Sequence, residues 1–471
     1  MRVVASVNVA ASFKNCESWG PPAGSQEVHD CVACLRPLVM VARIFGVLPI
    51  SFQGANMRFR WRSFLTAYAL IVLIVLSAYV VFKLTTYFAH LCAYNGVCGV
   101  EFNNETERTF NASQDGRSES IAMKQNAAGK SEKDEPILNG NWREKLDMIG
   151  VVQNIIFYCF GATGAFLLLR AAPMFVSLCE RWCEVEDGLA SEAPLGRRWP
   201  LFAGLSLLGL SAVGETAASM IDDEEHLPSF WPFLETYITL GHPDIVEVLG
   251  YTRVLGIVML IVNKYATFLW NFVDIFIANI AFVLTRHFKA FNKKLLKYTQ
   301  GGGSVSGADV LGERWWRGAR EQHLALQGLV EAADGVTGPL VLQSFVCNLF
   351  FMLMQLYNGL KPSISSTMVH RLYLAWSFVH LLCRLLFVSL TCASLHAQTL
   401  QPTALLLSLP AEKWNSEAER FLQQLQSRSV GLTGCGFFFV NKSFILATTG
   451  ALITYEVILL QLNPSRPADA A

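Results

Sequence analysis

The feature that most limits what this chain can fold into is a series of long, nearly uncharged apolar blocks set between polar stretches. Phe64 to Phe82 has no charged residue and is rich in Ile, Leu, Val and Tyr. At about 1.5 Å per residue, such a helix crosses nearly all of a hydrocarbon layer about 30 Å thick. Comparable blocks run over Met148–Leu169, Trp199–Ile221, Val254–Thr285, Val336–Leu360, Leu372–His396 and Phe437–Leu462. The 471 residues are 52% hydrophobic and only 16% charged, too apolar for an ordinary soluble domain. The expected fold is therefore an all-α membrane protein with seven transmembrane helices.

Seven spans place the two ends on opposite sides, and charge chooses the topology. Residues 286–335 hold eight Lys and Arg, and residues 1–63 hold seven, with Arg58, Arg60 and Arg62 at the border of the first span. Asp222 to Glu247 holds seven acids and no Lys or Arg. Positive flanks stay in the cytoplasm, so the expected orientation is N-terminus inside and C-terminus outside. The N-terminal residues lack the order of basic head, apolar run and cleavage site that marks a signal peptide.

The expected organisation is a cytoplasmic segment at 1–63, spans one to four within 64–285, and a cytoplasmic helix extension and linker at 286–335. Spans five and six follow at 336–396, a cytoplasmic anchor at 397–436, the seventh helix at 437–463 and an outer tail at 464–471. Asn104-Glu-Thr106 and Asn111-Ala-Ser113 put two glycosylation acceptors, Asn104 and Asn111, in the first outer loop. Asn441-Lys-Ser443 has the same pattern at the inner end of span seven, where glycosylation is not expected.

Several function classes drop out. With 37 basic and 37 acidic residues, the chain has no electrostatic footprint for nucleic acid. It has no GxGxxG after a strand, no GxxxxGK[ST], no HExxH and no GxSxG. Cys31-Val-Ala-Cys34 has a metal-like spacing without a second pair. No enzymatic activity, cofactor or metal is expected. A G-protein-coupled receptor is the competing seven-helix class, but its orientation is the reverse of the one expected here. A transporter would more often show repeated halves or broken helices.

Polar residues inside the spans carry the functional expectations, because charges in lipid must pair, reach an interface or line water. Asp274 in span four and Arg384 in span six are candidates for a buried structural pair. Asn348, Gln355, Tyr357 and Asn358 on span five, with Trp376 and His380 on span six, form a candidate set for a neutral polyol. Amides and hydroxyls exchange hydrogen bonds with such a ligand, while aromatic faces cover its C–H surfaces. Glu215 near the outer end of span three could accept hydroxyls or line a vestibule. Helix packing and interfacial anchoring are plain alternatives for each residue. On the last span, Thr454, Gln461 and Leu462 would meet their copies around a symmetry axis, Leu462 obstructing hydrated ions and Gln461 stabilising them.

The closing Thr454-Tyr455-Glu456-Val-Ile-Leu-Leu-Gln461-Leu462 resembles the terminal signature of the insect gustatory receptors, with Leu462 in place of the usual Phe. Phe45-Gly46-Val-Leu-Pro49, Trp61-Arg62-Ser63, Trp270-Asn-Phe-Val-Asp274 and Trp316-Arg317-Gly-Ala-Arg320-Glu321 resemble the sugar-receptor branch of that family. So do Asn348 to Gln355, Trp414 through Glu419-Arg420-Phe421, and Leu432-Thr433-Gly434 with Phe437-Phe438, although Asn441-Lys442 replaces the more familiar Thr-Arg. The resemblance implies a tetrameric, ligand-gated, nonselective cation channel in the plasma membrane of chemosensory neurons, with four seventh helices around one pore. Its implied partners are neutral sugars, monovalent cations with divalent cations as a second class, membrane lipids, and identical or related receptor subunits. The alternative within this reading is an accessory subunit with no ligand response of its own.

Overall fold

The computed structural model describes residues 30–53, 56–94, 140–188, 203–206, 209, 230–300, 309–360 and 368–462. Helix α1 (Asp30–Ile44) is followed by a two-stranded antiparallel hairpin, β1 (Ile50–Gln53) and β2 (Asn56–Phe59), with Ile50 opposite Phe59. Between them Gly46 has a φ of +65°, and the ring of Tyr68 occupies the space a β-carbon would need. Only glycine satisfies both demands at low cost.

The remaining helices are α2 (Phe64–Tyr94), α3 (Gly140–Gly188), α4 (Phe230–Gly241), α5 (Pro243–Leu249), α6 (Arg253–Gln300), α7 (Asp309–Leu360), α8 (Met368–Leu407), α9 (Ser416–Ser427) and α10 (Lys442–Leu462). Six of them, α2, α3, α6, α7, α8 and α10, are long and apolar enough to cross a membrane. They coincide with six of the seven apolar blocks. The block Trp199–Ile221 lies outside the described residues except for a helical turn at 203–206 and Gly209, and Glu215 lies outside them too. Asn104 and Asn111 are likewise outside.

Burial separates the roles of these helices. In α6, 89% of the most apolar stretch is buried, against 17% in α2 and none in α10. Helix α6 is thus the central column, packed by α3, α7 and α8. Its core face is aromatic: Phe268 stacks near Phe272 at 5.4 Å, and Phe276 meets Phe175 of α3 at 5.3 Å.

Helices α6 and α7 have 48 and 52 residues, about 72 and 78 Å at the standard rise, and so run far beyond a hydrocarbon layer. Helix α6 continues unbroken from the predicted span four into the predicted extension. Helix α7 joins that region to span five in one piece, through Pro339.

The far ends of α6, α7 and α8 are tied together with α9. Asn415 caps α9 by accepting from the Ala418 N–H at 2.9 Å. The buried carboxylate of Glu417 is ringed by Arg420 at 2.9 Å, Arg320 at 3.2 Å and Arg317 at 3.8 Å.

The last span begins later than the hydropathy predicts. Residues 428–441 form a tight non-helical connection, with a single β-bridge between Thr433 and Phe439. The helix starts where Asn441 Oδ1 accepts from the Phe444 N–H at 2.8 Å. The physical reason is local: an Asn with a free side-chain oxygen ends the turn and opens the helix. Hydropathy is blind to that signal, since Phe437–Val440 are as apolar as the helix itself.

Candidate ligand-binding site

Four helices each turn one face toward a shared cavity of about 340 Å³. Helix α3 contributes Gly150, Gln153, Asn154 and Phe157, and α6 contributes Asn263, Thr267 and Trp270. Helix α7 contributes Phe351 and Gln355, and α8 contributes Tyr373, Trp376, Ser377, His380 and Leu381. Within each helix the lining residues recur at three- and four-residue intervals, which places them on one stripe of the helical surface. The volume falls within the usual range for small-molecule sites, about 300–1,000 Å³.

The chemistry of the wall is uniform in one respect: among the described residues no Asp, Glu, Lys or Arg lines it. Aromatic rings supply much of the surface. Trp270 contacts Phe351 at 5.0 Å and Phe157 at 5.7 Å, forming a continuous apolar patch.

The polar groups are held but not exhausted. Gln355 donates its amide to Ser377 Oγ at 2.9 Å, Asn263 donates to the Tyr158 hydroxyl at 3.1 Å, and Asn154 donates to the Gly241 carbonyl at 3.0 Å. Yet Asn154 Oδ1, Asn263 Oδ1, Gln355 Oε1 and His380 Nε2 are buried with no hydrogen-bond partner among the described residues. Each such group costs about 1–3 kcal/mol if it stays unpaired, so four residues around one cavity form a standing demand for hydroxyl or water partners.

Behind the aromatic patch lies a buried ionic knot. Asp274 Oδ2 accepts from Arg384 Nη2 at 2.7 Å and Nε at 3.1 Å, and from Asn348 Nδ2 at 3.3 Å. Its Oδ1 accepts from Ser344 Oγ at 2.5 Å. Arg384 also donates to the Trp270 carbonyl at 3.0 Å, and its guanidinium lies 4.0 Å from the Trp270 ring centroid. The pair is therefore both a join between α6, α7 and α8 and a backing for the cavity wall.

Of the residues singled out from sequence, Gln355, Trp376 and His380 line the cavity. Asn348 belongs instead to the ionic knot, fully buried beside Asp274. Tyr357 and Asn358 are half-buried near the end of α7 and do not line the cavity. Sequence reasoning passed over Gln153, Asn154, Asn263, Thr267, Trp270, Tyr373 and Ser377. Their signal was available in the same form as that of Gln355: amides, hydroxyls and aromatic rings at helical spacing inside apolar blocks. Among the described residues no group of His, Cys, Asp and Glu is arranged to hold a metal ion.

Helix α10 stands apart from the cavity, against α7 and α8. Thr454 is exposed and donates back to the Gly450 carbonyl at 2.9 Å; Glu456 and Gln461 are also exposed on this helix. Leu462 ends the helix. At its start, Phe438 stacks on Phe444 at 4.5 Å, and Phe345 of α7 meets both edge-on at 5.5 and 5.0 Å. One step earlier, Asp334 of α7 accepts from the Thr433 N–H at 2.6 Å and the Thr433 hydroxyl at 2.8 Å.

Comparison with known proteins adds the lineage. Residues 204–469, more than half of the chain, match the family model described as trehalose receptor. The chain is 26% identical over 326 residues to the Drosophila melanogaster gustatory receptor for sugar taste 64a, covering 64% of this chain and 68% of that one. It is 26% identical over 323 residues to the gustatory receptor 5a for trehalose of the same species, covering 67% and 70%. Among solved structures, the olfactory receptor OR5 of Machilis hrabei in complex with eugenol shares the fold with a TM-score of 0.57 at 14% identity, covering 92% of this chain and 100% of that one. From the matched region and these relatives, the chain belongs to the trehalose receptor family, within the sugar branch of the insect gustatory receptors.

Proposed function

We propose that the chain is a subunit of a sugar-gated, nonselective cation channel that serves as a taste receptor in the plasma membrane of chemosensory neurons. The cavity carries this reading: among the described residues it is lined without charge, faced by aromatic rings and bordered by buried polar atoms of Asn154, Asn263, Gln355 and His380 that lack partners. Neutral saccharides answer each of these properties. Their hydroxyls pair with Asn154, Asn263, Gln355 and His380, while their C–H faces cover Trp270, Phe351 and Trp376.

In this proposal seven helices span the membrane, the N-terminus is cytoplasmic, and four copies surround a pore lined by α10. The exposed Thr454, Glu456 and Gln461 support that placement, because polar side chains on an apolar helix are costly against lipid and suit a water-filled path. Sugar opens the channel to the extent that it binds the open state more tightly, and a coupling of about 1–3 kcal/mol is typical.

The test is to express the chain alone at the cell surface and record current during sugar application. A sugar-evoked, cation-carried current supports the proposal and excludes an accessory-only subunit. A surface-expressed tetramer that binds no neutral sugar overturns it.

A further inference from the structure

We infer that the β1–β2 hairpin and the turn after it form a binding surface for the phosphate-bearing headgroups of anionic phospholipids. Between Leu35 and Phe64 the sequence holds five arginines and no acidic residue. Three of them, Arg58, Arg60 and Arg62, are exposed at the hairpin's exit, directly before the first membrane-spanning helix. Among the described residues none of these three exposed arginines pairs with a carboxylate.

The surface is fixed in place. Arg58 sits on β2 opposite Ser51, whose hydroxyl donates to the Arg58 carbonyl at 3.1 Å. The Arg60 carbonyl accepts from the Thr66 hydroxyl at 2.8 Å, and Ser63 Oγ accepts from the Thr66 N–H at 3.2 Å, which ties the turn to the first turn of α2. The three arginines thus project from a braced turn.

Beside the charges stand two exposed rings, Trp61 at 63% and Phe64 at 85% exposure, with Trp61 held edge-on against Phe59 at 4.8 Å. Water is a poor neighbour for such rings, and the boundary between headgroups and acyl chains is a good one. Guanidinium forks bind phosphate oxygens in pairs, and each basic residue at a membrane surface adds about fivefold in affinity for an anionic leaflet. Rings reaching into the acyl boundary and arginines at headgroup height select a lipid over a soluble anion. The assignment rests on the proposed cytoplasmic placement of residues 1–63 only for naming the inner leaflet as the source.

The test uses the purified full chain in detergent, incubated with equal amounts of phosphatidylserine and phosphatidylcholine, with retained lipids counted by native mass spectrometry. The wild type should retain phosphatidylserine preferentially, and the R58Q/R60Q/R62Q variant should lose about a hundredfold in that preference. If this variant does not fold, R58K/R60K/R62K and a salt titration of the wild type replace it: preference must fall as salt rises, and lysine must retain part of it. A wild type without preference, a triple variant with unchanged preference, or complete displacement of the lipid by millimolar inorganic phosphate overturns the inference. No sugar and no current enter this measurement, so its failure is separate from failure of the channel proposal.

Discussion

The Arg384 guanidinium sits over the Trp270 ring, 4.0 Å from guanidinium carbon to ring centroid, while the same guanidinium is bonded to Asp274 and to the Trp270 carbonyl. One side chain therefore neutralises a buried carboxylate, pins a helix and backs the aromatic wall of the cavity. Removing it strands Asp274. Arg384→Ala is expected to cost about 3–5 kcal/mol, seen as loss of surface expression or of thermal stability in detergent. Adding Asp274→Asn to it should recover part of that loss, and a double variant as unstable as the single one would count against the pairing argument.

Gln355→Ala should raise the half-maximal sugar concentration about fivefold to tenfold, the effect of losing one hydrogen bond of about 1 kcal/mol. Ser377→Ala should act in the same direction, because it removes the cavity-lining hydroxyl that holds the Gln355 amide at 2.9 Å. Dose–response curves that overlay the wild type remove Gln355 from the site.

A cavity without a charged lining should reject a charged ligand. A uronic acid is expected to bind at least about tenfold more weakly than the neutral sugar of the same ring, since its carboxylate would be desolvated without a cationic partner. The check is a competition assay at neutral pH, and equal affinity would contradict the assigned lining.

Asp334→Asn should weaken the hold of α7 on the 431–440 connection, because a neutral amide accepts less strongly from the Thr433 N–H and hydroxyl. Expected is a fall in maximal current with little change in equilibrium sugar binding. Radioligand binding and current measured on the same cells separate the two.

Gln461→Ala should change ion permeability ratios or blocker sensitivity while leaving the sugar dose dependence nearly unmoved. Gln461 is exposed on a helix that does not line the cavity. Unchanged permeation would remove α10 from the ion path at that level.

Six spans and the Asp274–Arg384 pair were legible because lipid imposes simple rules: apolar runs must be helical, and buried charges must meet opposite charges. Gln355, Trp376 and His380 stood out as polar or amphipathic residues in apolar blocks. Asn154 and Asn263 carried the same signal, but their value depends on α3 and α6 converging, and convergence is a tertiary fact that one helix's pattern does not contain. Asn348 shows the reverse case. It is spaced seven residues from Gln355 on α7, nearly the same face, yet two turns deeper that face meets Asp274 rather than the cavity. The start of α10 was misplaced because Phe437–Val440 look like membrane sequence, while the Asn441 cap that opens the helix is a matter of one hydrogen bond.

Helix α7 carries Gln355 near one end and Asp334 about 32 Å further along, with Phe345 against the base of α10 between them. It has no loop in which a displacement could dissipate, and Pro339, where the hydrogen-bond ladder lacks one rung, sits beside the connection it grips. Such a column links the cavity wall to the base of α10 through one continuous element. In the proposed channel, a small tilt at the Gln355 end would reach the stem of α10 directly, with no chain of intermediate rearrangements needed to carry it.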